Sequence, residues 1–402
     1  MSKRLYLVLL GSCFFFQNIV AQEHVTLSKS DMVKLDYFTL AERKVKILEN
    51  DVTLMPAYRQ LLRDANKALK FKPVSVMDKT ATPPSGDKHD YMSLAPYWWP
   101  NPAKSDGLPY IRKDGVINPE IKEYPDKESM PVLCENIYTL SLAYYFSDNE
   151  KYAEHAAELI KVWFLNKATK MNPNLNFGQA VKGVTDGRAE GMIDTRHFIF
   201  VIDAIELLKK SEFWSVENNN DLKKWFSEFI VWSQKSPIAL DEMNAKNNHG
   251  VWFDAQLLSY ALYVEDTVLA RKIIDKSISR IDKQMSKDGS FPLELERTTS
   301  LHYSVFIMNA FVIIGQLSEE MGIDLWNHQT KSGKSLKLAY DFLLPYVTKE
   351  KVWTNQQIKE FNYSDAFPIL LRGKIVYDCT TCFEAIKAFH PLRFEKFNIN
   401  LL

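Results

Sequence analysis

The sequence carries no excess of charge: Lys+Arg and Asp+Glu both number 50. A chain without a basic balance announces neither a nucleic acid nor an anionic membrane as partner, although an acidic polymer can still bind in a local cleft. Metal-ligand spacing is also missing. The eight His are scattered, with no HExxH and no paired ligands, so no metal and no cofactor is expected. Beyond the N-terminus no stretch approaches the ~18 apolar residues of a membrane span, so stable membrane insertion is not expected. There is no alternating strand pattern of any length, which sets aside the sheet-based classes. Cysteine is scarce, with four in 402 residues. Cys379-Thr-Thr-Cys382 lacks the strand context of a redox motif and reads as structural thiols or one local disulfide.

What is present is a large apolar share, 46% hydrophobic and 13% aromatic, enough for a sizeable core. Lys3 and Arg4 followed by the apolar run Leu5 to Phe16 and by Ile19-Val20-Ala21 read as a signal peptide cleaved after Ala21. Export to the periplasm or the medium is the expectation. Leu10-Gly-Ser-Cys13 as a lipoprotein box ranks second, because Phe14-Phe-Phe16 follows it. Residues 22–402 are then expected to form a single catalytic domain of unknown oligomeric state.

Helical spacing marks 40–48, 55–69, 132–146, 152–164, 195–209, 221–234, 252–263, 266–285, 300–317, 334–348 and 379–389. These pair as successive antiparallel hairpins. The fold expected is all-α, an α/α toroid in the form of an incomplete barrel. Residues 71–130 lose the helical period, and a connection of that length usually carries function. Within it, Tyr97-Trp98-Trp99 lies between Pro96 and Pro100 and offers flat rings to the apolar faces of sugars, with Asp87, His89 and Asp90 nearby for hydroxyls. The alternative is a loop pinned to the body by its aromatics.

The organising stretch is Asn247-Asn248-His249-Gly250-Val251-Trp252, which joins a polar lead-in, read as loop, to an apolar helical run. A helix N-terminus with Asn and His at its mouth suits an anion such as a sugar carboxylate. It is equally an Asn cap with a hydrogen-bonded histidine. Arg188 and Arg196 can meet a carboxylate bidentately or can join Glu190 and Asp194 in salt bridges. In the segment Glu294 to Ser304, Arg297, His302 and Tyr303 lie close together. A phenol is a poor base at neutral pH unless cations lower its pKa from about 10, and Arg297 and His249 are the cations at hand.

With these segments in view, the sequence resembles the alginate-lyase family of polysaccharide lyases, which includes mannuronan and glucuronan lyases. The resemblance covers most of the chain after the signal. It rests on Asp90-Tyr-Met-Ser-Leu-Ala-Pro-Tyr-Trp-Trp-Pro100, Asn172-Pro-Asn-Leu-Asn176 with Asp186-Gly-Arg188 and Ile193-Asp-Thr-Arg196, Asn247-Asn-His249, and Glu294 to Tyr303. It implies a cleft that takes an anionic polyuronate and breaks it by β-elimination. Asn248 and His249 would neutralise the carboxylate, Tyr303 would remove the C5 proton and protonate the leaving oxygen, and Arg297 would assist. Tyr97, Trp98, Trp99, Arg188, Arg196, Asn247, Trp252 and His302 would line the substrate path. Gly250-Val251 departs from the family's polar-aromatic pair, and the Arg297-to-Tyr303 interval is one residue short. Two other classes stay open. A glycoside hydrolase would need two carboxylates flanking the bond, from among Asp87, Asp90, Asp194, Asp254 and Glu294. A non-catalytic glycan binder would use the aromatic platform alone.

Overall fold

The computed structural model describes residues 34–389, Lys396 and residues 400–402; the signal segment and Cys13 lie outside them. Fourteen helices are described: α1 (Tyr37–Leu48), α2 (Met55–Ala68), α3 (Asp126–Ser147), α4 (Glu150–Ile160), α5 (Phe198–Leu208), α6 (Val216–Ser233), α7 (Pro237–Asn244), α8 (Asn248–Tyr263), α9 (Thr267–Gln284), α10 (Pro292–Leu295), α11 (Ser300–Glu320), α12 (Leu336–Val347), α13 (Phe367–Tyr377) and α14 (Thr380–Phe389).

Their packing explains the two kinds of apolar pattern. Helices α3, α5, α8, α11 and α13 touch one another in succession and form an inner ring, while α2, α4, α6, α9, α12 and α14 each pack against it from outside. Inner helices are covered on nearly every side: in α8 every residue from Gly250 to Ala261 is buried. Outer helices keep one solvated face, as in α4, where Tyr152, Ala153, Ala156, Ala157, Leu159 and Ile160 are buried and Glu154 is exposed. The architecture is an α/α toroid. Helix α11 is long and apolar enough to cross a membrane, contrary to the sequence reading. Yet 78% of its apolar window is buried by neighbouring helices, as expected of a core helix.

Several boundaries differ from the periodicity. The stretch from Ala189 to His197 winds as a 3₁₀ helix before α5, so the helix expected from Thr195 begins at Phe198. The polar lead-in expected as loop is mostly α7, started by Pro237 in its first turn. Gly250 sits inside α8, where a Cβ would stand 2.3 Å from the Ala245 carbonyl oxygen and 2.3 Å from Arg280 Nη1. Close approach, not backbone freedom, demands glycine there. Four short strands escaped the sequence: β1 (Met92–Leu94) pairs in parallel with β4 (Phe177–Ala180), and β2 (Trp98–Trp99) antiparallel with β3 (Ile111–Arg112). They brace the long 71–130 connection. Cys379 and Cys382 form a disulfide, and Cys134 is buried and free.

Candidate active site

The N-terminal ends of α3, α8 and α11 and the stretch entering α5 meet at one end of the ring. A cleft of about 680 Å³ opens there, lined by Lys127 and Glu128 from the first turn of α3, Arg188, Glu190, Asp194 and Arg196 from the stretch entering α5, Asn248 and His249 from α8, and His302, Tyr303 and Phe306 from α11. Converging N-terminal helix ends favour a negatively charged occupant. The β2–β3 region adds Tyr97, Trp98 and Arg112 to the lining.

The first turn of α8 is more occupied than the sequence suggests. Asn247 caps the helix by accepting from the His249 backbone N–H at 3.2 Å. Glu294, buried in α10, accepts from both the backbone N–H (2.6 Å) and Nδ2 (2.7 Å) of Asn248. The carboxylate at this helix end is therefore the protein's own. Of the side chains at this end, His249 lines the cleft half-buried and Asn248 forms its floor, itself 0% exposed. Asn248 Oδ1 is buried and has no partner. His249 Nδ1 lies 2.7 Å from Glu242 Oε1, with the Glu242 side chain almost fully buried in α7.

Tyr303 sits one turn from the start of α11. Arg297 Nη2 donates to its phenol oxygen at 2.7 Å, and the guanidinium carbon lies 3.6 Å from the ring centroid. The short Arg-to-Tyr interval does not prevent contact. Arg297 is held by Asp114, to which Nη2 donates at 2.8 Å and Nε at 3.3 Å, and Asp114 also accepts from Thr298 Oγ1. Tyr97 Oη stands 3.3 Å from Tyr303 Oη. Burial pushes the Tyr303 phenol well above its ordinary pKa and Tyr97 adds to this; Arg297 opposes them without prevailing. Arg297 does lower the phenol as anticipated, but burial outweighs it, so in the free cleft the phenol holds its proton.

The arginines divide. Arg188 donates to Glu190 and to Gln179 Oε1, both at 2.8 Å, as a member of a network that runs through Gln179 to Asp194 and Lys127. Arg196 makes one bond, to the Ile193 carbonyl, and lies 5.7 Å over the Phe306 ring; no carboxylate pairs with it among the described residues. It lines the cleft, with Asp194 acting on its charge from beyond salt-bridge distance. His302 is half exposed at the rim, 3.6 Å from Asp365.

Two aromatic assignments are corrected. Trp252 is 5% exposed and packs on Phe306 at 4.9 Å, one turn deeper in α8 than Asn248, so it belongs to the core under the cleft. Trp99 lies outside the cleft lining, with its indole N–H donating to the Val116 carbonyl and Lys113 over its ring. It pins the loop. Tyr97 and Trp98 do line the cleft, with Arg188 6.0 Å over the Trp98 ring. Asp87, His89 and Asp90 are tied to Asn172, the Lys170 carbonyl and Asn174, away from it. The carboxylates weighed for a hydrolase do not flank the cleft as a pair either: Asp254 is bound to Arg280 and Glu294 to Asn248. The sequence reading missed Glu242, Asp114 and Gln179, and weighed Glu294 only as a hydrolase carboxylate, not as the partner of Asn248. A carboxylate whose importance lies in what it touches leaves no mark in its own neighbours.

A toroid of helical hairpins with an aromatic-walled cleft that joins a tyrosine gripped by arginine to an Asn–His pair is the kind of site a polysaccharide lyase uses. The family model described as Alginate lyase matches residues 75–353, and the chain belongs to that family. It is similar to an alginate lyase from Bacteroides ovatus, at 42% identity over 92% of this chain and 98% of that one, with a TM-score of 0.86. Alginate lyase A1-III from Sphingomonas species A1 shares the fold at 14% identity and a TM-score of 0.55, over 88% and 93% of the two chains. No curated protein matches the sequence. The protein is a polysaccharide lyase.

Proposed function

We propose that the chain cleaves a β-1,4-linked D-uronate polymer, mannuronan as in alginate or glucuronan, by syn β-elimination that leaves unsaturated uronate ends. The observation that carries this is the joint presence, in one cleft, of Tyr303 held by Arg297 and of Asn248 and His249 with Arg196, which has no carboxylate partner among the described residues. The proton next to a carboxylate is weakly acidic. Its removal needs charge stabilisation at the carboxyl group, for which Asn248 Nδ2, His249 and Arg196 are the donors. In β-linked D-uronates the C5 proton and C4 oxygen lie on one face, so one phenol can take the first and return it to the second. The oligosaccharide bound in a solved complex of alginate lyase A1-III, a tetrasaccharide, agrees with a cleft of this kind.

A second reading is favoured by the raised Tyr303 phenol and by the fixed His249 ring. In L-guluronate the C5 proton and C4 oxygen lie on opposite faces, so His249 would take the proton and Tyr303 would serve as acid. Initial rates on pure mannuronan, glucuronan and guluronan, followed by absorbance of the new double bond, separate the two. Preference for a D-uronate supports the single-tyrosine route, and preference for guluronan overturns it. A lack of new absorbance on all three would reject polyuronate lysis altogether.

A further inference from the structure

We propose that Glu242 is a positioning residue for the elimination: it fixes the proton on His249 Nδ1 and stabilises the imidazolium, so that Nε2–H can be given to the substrate carboxylate. This rests on the lyase reading and extends it to a residue outside the cleft wall's catalytic group. Glu242 is 1% exposed, on α7, and its Oε1 stands 2.7 Å from Nδ1. As an acceptor it obliges that nitrogen to carry hydrogen. The consequence is sharp at the other nitrogen. A neutral ring of this tautomer turns a lone pair toward the cleft, which repels a carboxylate, whereas the imidazolium turns an N–H toward it. A buried carboxylate behind the ring is what makes the charged form persist as the substrate displaces water.

The charged surroundings support the assignment. Arg188 and Glu190, on the stretch entering α5, act on Glu242 with opposite signs and are themselves paired at 2.8 Å. From the α10 side, Glu294 senses both His249 and Arg297. Burial raises Glu242, while His249 and Arg188 pull it back toward ionisation, so its charge depends on the imidazole it faces. The local design resembles the orienting carboxylate behind a metal-bound or catalytic histidine, with a sugar carboxylate in place of the metal or nucleophile.

The test is Glu242→Gln, which keeps the side chain's shape and removes its charge. For wild type and variant, kcat/KM on the best polyuronate is measured across the pH range in which the fold persists. In the variant kcat/KM at neutral pH is expected to fall roughly tenfold, with most of the loss recovered at acid pH. An equal loss at every pH would reduce Glu242 to a packing role and overturn the proposal. Should the variant fail to fold, nitrogen-15 NMR of the wild-type His249 ring, assigned by comparison with His249→Ala, decides. Nδ1 protonated throughout the titration supports the proposal, and a neutral ring protonated at Nε2 overturns it. That spectrum is independent of turnover, so it stands even if the polyuronate panel shows no lysis.

Discussion

At the scale of residues, the reacting group is legible in the sequence but its state is not. Tyr303, Arg297, Asn248 and His249 can be picked out because unlike polar types crowd two short segments. That the phenol is protonated at rest depends on how deeply α11 buries it, which no spacing records. The sign of the pH effect follows. A phenol raised above its ordinary value of about 10 supplies less phenolate at any given pH, and the supply grows tenfold per unit. On the single-tyrosine route kcat/KM therefore climbs on the acid side with a slope near one. It does not decline below pH about 10 while the fold persists. Tyr303→Phe, which keeps the ring under Arg297 and removes only the hydroxyl, is expected to lower kcat by roughly 10²–10⁴-fold with KM little changed, the usual scale for losing a positioned acid or base. A rate profile of the pair, wild type and variant, checks both. A Phe variant that keeps most of its kcat would remove the phenol from the chemistry.

At the scale of elements, the helix pattern was readable because outer helices show one buried face and inner helices show long apolar runs. Depth within an inner helix was not. Trp252 follows Asn248 by four residues and so shares its side of α8, but one turn along the axis carries it from the cleft into the core against Phe306. The 71–130 connection misled in a related way. Three adjacent aromatics could not all face one direction, and only the backbone pairing of β2 with β3 decides which ring is spent on anchoring. The decision is testable ring by ring. Trp98→Ala is expected to raise KM several-fold and leave kcat within about twofold, because a ring that stacks on sugar contributes binding and not chemistry. Trp99→Ala is expected to spare KM at saturating stability and instead lower the melting temperature or increase proteolysis within residues 98–112. Steady-state kinetics beside thermal denaturation of both variants settles the assignment; the opposite pattern would exchange the roles of the two tryptophans.

At the scale of the whole molecule, neutrality constrains how an anionic polymer is captured. Lys+Arg and Asp+Glu balance at 50 each, so no long-range field draws the polymer in, and the attraction must be local. Within the cleft the balance is nearly repeated: Lys127 is paired with Asp194, Arg188 with Glu190, and Arg112 and Arg297 share Asp114. Among the described cleft residues only Arg196 has a full positive charge with no carboxylate at salt-bridge distance, so the free positive charge there is small. Charge that is partly buried is weakly screened, since the Debye length of about 8 Å at physiological salt applies to exposed groups. Raising sodium chloride from about 0.05 to 0.5 M is therefore expected to increase KM for the polymer by less than about tenfold and to leave kcat nearly unchanged. Arg196→Gln should flatten even that dependence while raising KM at low salt, because the variant has already lost the interaction that salt weakens. Initial rates across the salt series, for wild type and variant, measure it. A KM that rises a hundredfold, or a salt response that survives the loss of Arg196, would mean that the polymer is held along an extended charged surface and not by a few donors at the mouth of α8.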